Sequence, residues 1–341
     1  MRDRFTFDML LPQYWLTWLG FGLWYLMIRL LPFRLLMWLG GKIGLLVGKL
    51  VARRRLVVEK NVALCFPELT AEEQKDLVRR ILESMGRGFI DTGIAWFWPL
   101  EKIVKRVEVK GMEHLKKAHD DGQGILLFTC HFTSLELCGG TFNNLYPYDN
   151  YGVYRSHKNK VYDMLMCHGR ERHSKGLTPI PRDEVRSMAK VLRKGKCLMY
   201  LPDQDYGHKY SVFVPFFGVD AASITAPTQL AKLGKAKVMA YTGVRKPDNS
   251  GYVIEIFPDD FEGYGNDEVA DATMVNQFFE KRIRETPDQY LWAHRRFKSR
   301  PDGEADFYQL EHLSSFKRRH KRRQKWQEKK QKARLKAQNK S

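Results

Sequence analysis

The chain has few cysteines, and they lack the spacing of a zinc site or a disulfide framework. Its five cysteines lie at positions 65, 130, 138, 167 and 197, with no Cys-x-x-Cys pair. We therefore expect no structural metal and no bound cofactor. An odd number of unpaired cysteines favours a reducing, cytosolic environment for the globular part. Internal repeats and a Gly-rich phosphate loop are also absent from the sequence.

Acidic residues are scarce at the carboxyl end. The chain has 341 residues and a net charge of +19. From Lys317 onwards there are 13 basic residues and one acid, Glu328, a net charge of +12 that leaves about +7 for the rest. We interpret residues 311–341 as a solvated basic tail that either serves solubility or contacts an acidic partner or an anionic membrane. A membrane-tethered nucleic-acid-binding protein acting through this tail is the alternative, although no known nucleic-acid module is apparent.

Charged residues are also absent from Met9 to Ile28, an aliphatic run that contains several tryptophans. Its length and composition predict a membrane-anchoring helix. Arg29 and further basic residues follow, which by the positive-inside rule places the body on the cytoplasmic side of the membrane. Residues 35–51 are expected to lie at the interface, so that residues 1–55 form the anchor. The alternative for the apolar run is a buried core helix.

Residues 56–310 are predicted to form one α/β domain. Helices are expected up to about residue 105, with Thr70 to Glu73 as a helix-capping signal, and strands then alternate with helices. The candidate strands are residues 125–130, 151–154, 197–201, 238–244 and 252–257. This order predicts a central mixed sheet flanked by helices, with a site at the strand ends.

His131 follows the apolar run 124–130, and Glu136 comes five residues later at the start of a predicted helix. Residues five apart on an ideal helix diverge by about 140°, so the two side chains meet only if His131 precedes the helix. At such a junction an imidazole can take a proton from a hydroxyl while a carboxylate fixes its tautomer. We therefore interpret His131 as a general base oriented by Glu136. Chance spacing is the alternative.

Two other residues near His131 are weaker nucleophile candidates. Cys130 is its direct neighbour, and neighbouring side chains diverge in a strand, which argues against a Cys–His couple. Ser134 lies three residues on, but the Gly-x-Ser-x-Gly elbow that exposes a serine nucleophile is missing.

Several further motifs, taken together with His131 and Glu136, resemble one family. They are Leu64-Cys65-Phe66-Pro67-Glu68, Trp96-Phe97-Trp98-Pro99, Gly169-Arg170-Glu171-Arg172, Pro202-Asp203-Gln204-Asp205-Tyr206-Gly207 and His294-Arg295-Arg296-Phe297. The chain resembles the lysophospholipid acyltransferase superfamily, with its His, four residues, then Asp or Glu. Within it, the chain is similar to the late acyltransferases of lipid A biosynthesis over roughly residues 10–303. The basic tail departs from that pattern.

The resemblance implies a glycerolipid-acyltransferase-like fold and an O-acyltransferase that acts on a membrane glycolipid. The implied donor is acyl-acyl carrier protein, and the implied acceptor is a phosphorylated, Kdo-bearing lipid A precursor in the inner membrane. The alternative among enzymes is an acyltransferase for another membrane lipid on the same scaffold. By motif, the family's functional positions fall on His131, Glu136, Arg170 and Asp203. Arg170 would stabilise an oxyanion or bind a substrate phosphate, and Asp203 would orient Arg170 or His131. Further candidates for substrate binding, with ion pairing as the alternative, are Arg155, Arg172 and Asp205.

Overall fold

A seven-stranded mixed sheet lies at the centre of the computed structural model, which describes residues 5–154, 157–172, 177–182, 184–258 and 260–308. The strands in chain order are β1 (Val107–Lys110), β2 (Ile125–Phe128), β3 (Asn150–Tyr154), β4 (Leu177–Pro181), β5 (Cys197–Tyr200), β6 (Ser211–Phe216), β7 (Val219–Ile224), β8 (Lys237–Arg245) and β9 (Tyr252–Phe257). Strands β6 and β7 pair with each other as a separate antiparallel hairpin.

The strand order of the sheet is β1-β9-β8-β2-β5-β3-β4. Every neighbouring pair is parallel except β8 and β9. Strands β2, β5 and β8 are therefore adjacent and point the same way, so the loops that follow them emerge at one edge. In open α/β sheets this carboxyl edge is where ligands bind.

Helices cover both faces of the sheet. In chain order they are α1 (Trp15–Leu30), α2 (Phe33–Leu50), α3 (Ala52–Cys65), α4 (Ala71–Phe97), α5 (Leu100–Val104), α6 (Met112–Asp120), α7 (Leu135–Leu145), α8 (Lys160–Glu171), α9 (Val185–Arg193), α10 (Ala226–Gly234) and α11 (Glu268–Glu285). The predicted cap is confirmed at α4, where the Thr70 hydroxyl accepts from the Glu73 amide and the Glu73 carboxylate accepts from the Thr70 amide.

The core consists of two apolar layers, one on each face of the sheet. Along β2, Leu126 and Phe128 belong to one layer and Ile125 and Leu127 to the other, and all four side chains are fully buried. Because both faces are covered, the central strands are continuous apolar runs rather than alternating ones. This explains why residues 124–130 stand out in the sequence.

The predicted α/β class with a central mixed sheet and flanking helices is confirmed. All five predicted strands are present, as β2, β3, β5, β8 and β9, although β2 ends two residues earlier, at Phe128. Strands β1, β4, β6 and β7 were not predicted. Two of these four contain proline, which is tolerated in edge strands and hairpins such as these.

The amino-terminal helices pack on α4. Trp24 and Ile28 of α1 and Leu36 of α2 are buried in the same apolar layer as Ile90 and Ile94 of α4. In the described part of the chain, no single helix has the length and apolar character to cross a bilayer, although the pair α2 and α3, bent by 100°, meets that test together. The spanning helix predicted for residues 9–28 therefore stays a prediction. Here the segment forms short 3-10 turns and the 16-residue helix α1.

Much of this amino-terminal region presents apolar side chains to the outside. We define the N-terminal apolar face as the exposed residues Trp15, Leu16, Leu19, Leu23, Leu26 and Leu30 of α1 and Trp38, Leu46 and Leu50 of α2. Leu16 is 84% exposed and Leu30 is 75% exposed. Contiguous exposed apolar surface of this kind marks a membrane or protein contact. The basic tail at 311–341 and Arg155 lie outside the described residues.

Candidate active site

The loops after β2 and β5 carry the predicted site residues to the carboxyl edge of the sheet. Strands β2 and β5 are paired in parallel from Ile125 with Cys197 to Phe128 with Tyr200. The polypeptide continues past the end of each strand by only two or three residues before it reaches His131 on one loop and Asp203 on the other. The sheet therefore brings together two side chains that are 72 residues apart in sequence.

Asp203 binds both the ring and the backbone of His131. Its Oδ1 lies 2.7 Å from His131 Nδ1, and its Oδ2 accepts the His131 backbone N–H at 3.0 Å. Burial opposes the charge of this carboxylate, but attraction to His131 and these hydrogen bonds hold the pKa of Asp203 below its ordinary value. An ionised Asp203 fixes the proton of His131 on Nδ1. The lone pair of Nε2 is then available as a base.

The side chain of His131 is 25% exposed, whereas that of Asp203 is 3% exposed. His131 Nε2 has no hydrogen-bond partner among the residues that the structure describes. The imidazole lines a cavity of about 680 Å³ together with Tyr200, Leu201 and Gln204. The arrangement is thus an oriented base whose free nitrogen can reach a molecule in this cavity.

Among the described residues, Glu136 binds Arg170 rather than His131, so the orienting role predicted for it has no geometric support and stays a prediction. Glu136 lies in the first turn of α7 and binds Arg170 of α8, whose Nε is 3.1 Å from Oε1 and 3.0 Å from Oε2, with Nη2 closer still to Oε1. The Trp96 indole also donates to Glu136, at 3.4 Å. The physical reason is that α7 begins at Leu135, so Glu136 projects towards α4 and α8, whereas His131 turns towards the loop after β5.

The two pairs also line different cavities. Glu136 and Arg170 line a smaller space of about 140 Å³. Val153 and Leu201 contribute to the walls of both cavities and lie between them. Arg170 binds Glu136 and lines the smaller cavity, not the one that His131 lines. Its predicted role as an oxyanion donor beside His131 therefore receives no geometric support.

The loop that carries His131 is held on several sides. The Ser134 hydroxyl donates to the Gly243 carbonyl at 2.6 Å, the Thr133 amide donates to the Gln289 carbonyl at 2.8 Å, and the Leu291 amide donates to the His131 carbonyl at 2.9 Å. Two backbone bonds to residues 289–291 and one side-chain bond to β8 leave the loop little freedom. Preorganisation of this kind keeps a catalytic side chain in its productive position.

A buried ion pair between β8 and α4 also contacts this loop. Arg245 at the end of β8 pairs with Asp91 of α4 and also donates to the Thr133 hydroxyl at 2.5 Å. Tyr252 donates to the other oxygen of Asp91 at 2.6 Å. Arg245 is 3% exposed and Asp91 fully buried, so each charge depends on the other for its stability in this setting.

Neither Cys130 nor Ser134 is placed as a nucleophile. Burial raises the pKa of the Cys130 thiol well above its ordinary value, so the thiolate does not form near neutral pH. Ser134 is fully buried and its hydroxyl already donates to Gly243. Within the described residues, no group of three or more His, Cys, Asp or Glu side chains is arranged to hold a metal ion.

Arg172 and Asp205 form hydrogen bonds that connect segments around the site. Arg172 donates to the Trp96 carbonyl at 2.9 Å, which ties the end of α8 to α4. Asp205 accepts from the Ser299 amide at 2.6 Å, the Ser299 hydroxyl at 2.9 Å and the Gly207 amide at 2.8 Å. These bonds fix the loop after β5 to the segment that follows residue 294. These contacts are structural, and the substrate-binding role predicted for the two residues stays a prediction.

Two neighbours of the site were not assigned a role from the sequence. His294 accepts the Asp205 backbone N–H at its Nε2, at 3.2 Å, and burial lowers its pKa to about 4. Gln204 lies directly after Asp203 and lines both the His131 cavity and a second one of about 590 Å³, formed by α2, α4 and residues 291–294. Both residues lie within sequence motifs on which the resemblance rests. Their position in those motifs was the signal by which the sequence could have identified them.

Comparison with known proteins finds one family along most of the chain. Residues 2–299 match the family model described as bacterial lipid A biosynthesis acyltransferase. The lipid A biosynthesis palmitoleoyltransferase of Escherichia coli (strain K12) is 39% identical over 306 residues, which cover 89% of this chain and 98% of that protein. The lauroyltransferase of the same strain is 40% identical over 301 residues, 88% of this chain and 97% of that protein. The myristoyltransferase of that strain is 24% identical over 308 residues, which cover 90% of this chain and 94% of that protein.

Proposed function

Because the chain belongs to the bacterial lipid A biosynthesis acyltransferases and is therefore an O-acyltransferase, we propose that it acylates a secondary position of Kdo2-lipid IVA, with acyl-acyl carrier protein as the donor. The observation that carries the chemistry is the pairing of His131 Nδ1 with Asp203 Oδ1 at 2.7 Å, which leaves Nε2 free beside a cavity of about 680 Å³. The similarity to a lauroyl and a palmitoleoyl transferase supports a medium or long acyl chain.

In the proposed reaction, His131 Nε2 removes the proton of the acceptor hydroxyl as its oxygen attacks the thioester carbonyl carbon. The tetrahedral intermediate then expels the thiolate, which takes the proton back from the imidazolium. The products are an ester and a free thiol, so no other reactant is required. Asp203 holds the ring and stabilises the positive charge that forms on it.

Glu136 and Arg170 have a different role in this proposal. The pair is a bidentate contact between α7 and α8, at the wall of the space next to the His131 cavity. A carboxylate gripped by a guanidinium in this way is geometrically specific. We therefore assign these residues to the packing of α7 against α8, separate from the pairing of His131 with Asp203.

The surroundings of the site suit a membrane lipid and an acidic donor protein. The N-terminal apolar face offers contact area to the inner membrane, with the catalytic loops on the cytoplasmic side. The net charge of about +7 on the part of the chain before Lys317 complements both the phosphates of the glycolipid and an acidic carrier protein. A lipid acceptor is confined to the membrane, so attachment to the same surface raises its effective concentration.

The test is a reconstituted reaction of purified protein in detergent with acyl-acyl carrier protein and Kdo2-lipid IVA, read by the mass of the glycolipid. Wild type should add one acyl chain. His131→Ala should lower turnover by about 10²- to 10⁴-fold, as loss of a general base does. His114→Ala, a change of an exposed histidine on α6, is the matched control and should leave turnover unchanged. Equal activity of the His131 variant and wild type would refute the proposal.

A further inference from the structure

The proposed reaction needs a hydrogen-bond donor for the carbonyl oxygen of the thioester. Attack on a thioester places negative charge on the carbonyl oxygen, and stabilisation of that oxyanion is commonly the largest electrostatic contribution to acyl transfer. Arg170 is bound to Glu136 and lines another cavity, so the donor must come from elsewhere. Polar side chains in the wall of the His131 cavity, besides His131 itself, are Arg182, Tyr200, Gln204, Tyr206 and Tyr210.

We propose that the side-chain amide of Gln204 donates a hydrogen bond to the oxyanion, an inference that rests on the proposed acyl transfer. Gln204 is half-buried, whereas Arg182, Tyr206 and Tyr210 are exposed and Tyr200 is packed into an apolar layer of the sheet. It is also the direct neighbour of Asp203, the residue that holds the His131 ring. The donor thus directly follows the residue that holds the base, and base and donor line one cavity.

The backbone on both sides of Gln204 is fixed. Before it, Asp203 is anchored by the ring and the amide of His131. After it, the Asp205 amide donates to His294 and the Asp205 carboxylate accepts from Ser299 and Gly207. A donor on a loop held at both ends is in place before the reaction begins, so no reorganisation is needed when charge develops.

The Gln204 side chain itself has no hydrogen-bond partner in the described part of the protein. Its amide hydrogens are therefore available to a bound molecule. A neutral donor also suits this position, because a cation beside Asp203 would compete with His131 for the carboxylate and oppose formation of the imidazolium. The second cavity begins on the other side of Gln204 and is lined mainly by apolar residues of α2 and α4, such as Leu82 and Phe89.

The experiment compares Gln204→Ala with Gln229→Ala in the reconstituted transfer reaction. Gln229 lies on α10, where its side chain donates to Glu268 at the surface. Gln204→Ala should lower kcat by about 10²-fold, the usual effect of removing one oxyanion donor, and should leave KM for donor and acceptor within about threefold. Gln229→Ala should match wild type. Thermal midpoints of both variants in detergent check that the fold is retained.

Gln204→Glu supplies a readout that a purely structural residue would not give. An ionised carboxylate repels the oxyanion, whereas a protonated one can donate to it. The ratio of the turnover of Gln204→Glu to that of Gln204→Ala should therefore rise as the pH falls from about 8 to about 5.5.

The outcomes separate this inference from the proposed function. Wild-type transfer that is lost in His131→Ala but unchanged in Gln204→Ala would overturn the oxyanion role and leave the function standing. A Gln204→Ala defect that appears only in KM, or a ratio of the two variants that is constant with pH, would also overturn it. A wild-type protein that transfers no acyl chain would overturn both.

Discussion

At the scale of single residues, the Asp203 carboxylate is the feature on which the proposed mechanism depends. It accepts two hydrogen bonds from His131, one from the ring and one from the backbone amide. An asparagine at this position has only one oxygen and must turn its NH₂ group towards one of these two donors. The tautomer or the orientation of His131 would then change.

Asp203→Asn should therefore lower kcat by about 10²- to 10⁴-fold with little change in the affinity for either substrate. The measurement is steady-state kinetics of the transfer reaction. Asp121→Asn, which alters an exposed carboxylate at the end of α6, is the control. Wild-type turnover of the Asp203 variant would show that His131 does not require this carboxylate.

A double-mutant cycle distinguishes Asp203 from Glu136. If Asp203 acts through His131, combining Asp203→Asn with His131→Ala should add little to the loss caused by His131→Ala alone. Glu136→Gln acts on Arg170 instead, so its loss should add to that of His131→Ala within about 0.5 kcal/mol. The reverse pattern would restore the original hypothesis that Glu136 orients the base.

His294 gives the stability of the protein a dependence on pH. Burial lowers its pKa from 6.5 to about 4 in the folded state. Between these pH values the unfolded chain binds a proton that the folded chain does not, so stability falls as the pH is lowered, by about 3 kcal/mol in all. Above about pH 6.5 this effect is absent, because both states are neutral.

His294→Gln should therefore lose less thermal stability than wild type between about pH 7 and about pH 5. The measurement is the difference in Tm between the two pH values, for both proteins in the same detergent. Identical differences would show that protonation of His294 does not limit the stability of the folded state.

The residue pattern alone singled out His131 as the proposed base, whereas Asp203 came only from the family resemblance, which left open whether it orients Arg170 or His131. His131 could be found because the central strand β2 is buried on both faces and reads as an uninterrupted apolar run. Its partner comes from a loop 72 residues away, and only the pairing of β2 with β5 brings the two together. Local spacing contains no information on that pairing, which is why the nearer acid, Glu136, was assigned instead.

At the scale of elements, α2 and α4 approach so closely that glycine is required between them. A Cβ on Gly44 would lie 2.0 Å from the Leu82 carbonyl oxygen, and one on Gly86 would lie 2.0 Å from the Gly40 carbonyl oxygen. Backbone atoms cannot yield as a flexible side chain does. The two helices would have to separate to accept even a methyl group.

Gly44→Ala should consequently destabilise the protein by about 1–3 kcal/mol, the usual cost of overpacking. Gly22→Ala on α1 is the matched control, because its Cβ would meet nothing within 4 Å and alanine favours a helix. Thermal unfolding in detergent should show a lower Tm for the first variant only. Equal Tm values would mean that α2 is not seated on α4 as described.

The elements that the sequence revealed were those with strong burial or strong caps. Helix α4 carries a capping box, and β2 and β5 are buried at every position. Strand β1 is short and partly exposed, β4 contains two prolines at an edge of the sheet, and β6 and β7 form a hairpin outside it. Their residues obey no single burial pattern, so composition alone did not distinguish them from loops.

At the scale of the whole molecule, the N-terminal apolar face should govern attachment to lipid. Leu16→Glu and Leu23→Glu each place a charge on this face, and each should weaken binding to phospholipid vesicles about tenfold or more. Leu233→Glu, an exposed leucine on α10, is the control and should bind like wild type. Co-sedimentation with vesicles measures the effect, and equal losses in all three variants would argue against a role for this face.

The strand order of the sheet also bears on how the chain folds during synthesis. The central strand β2 pairs on one side with β5 and on the other with β8, whose first residue comes 112 residues after that of β2. Neither neighbour exists when β2 leaves the ribosome, and pairing of such distant segments is slow. Helices α1 and α2 emerge earlier than any strand. They are therefore free to meet a lipid surface while the sheet, and with it the contact between His131 and Asp203, is still incomplete.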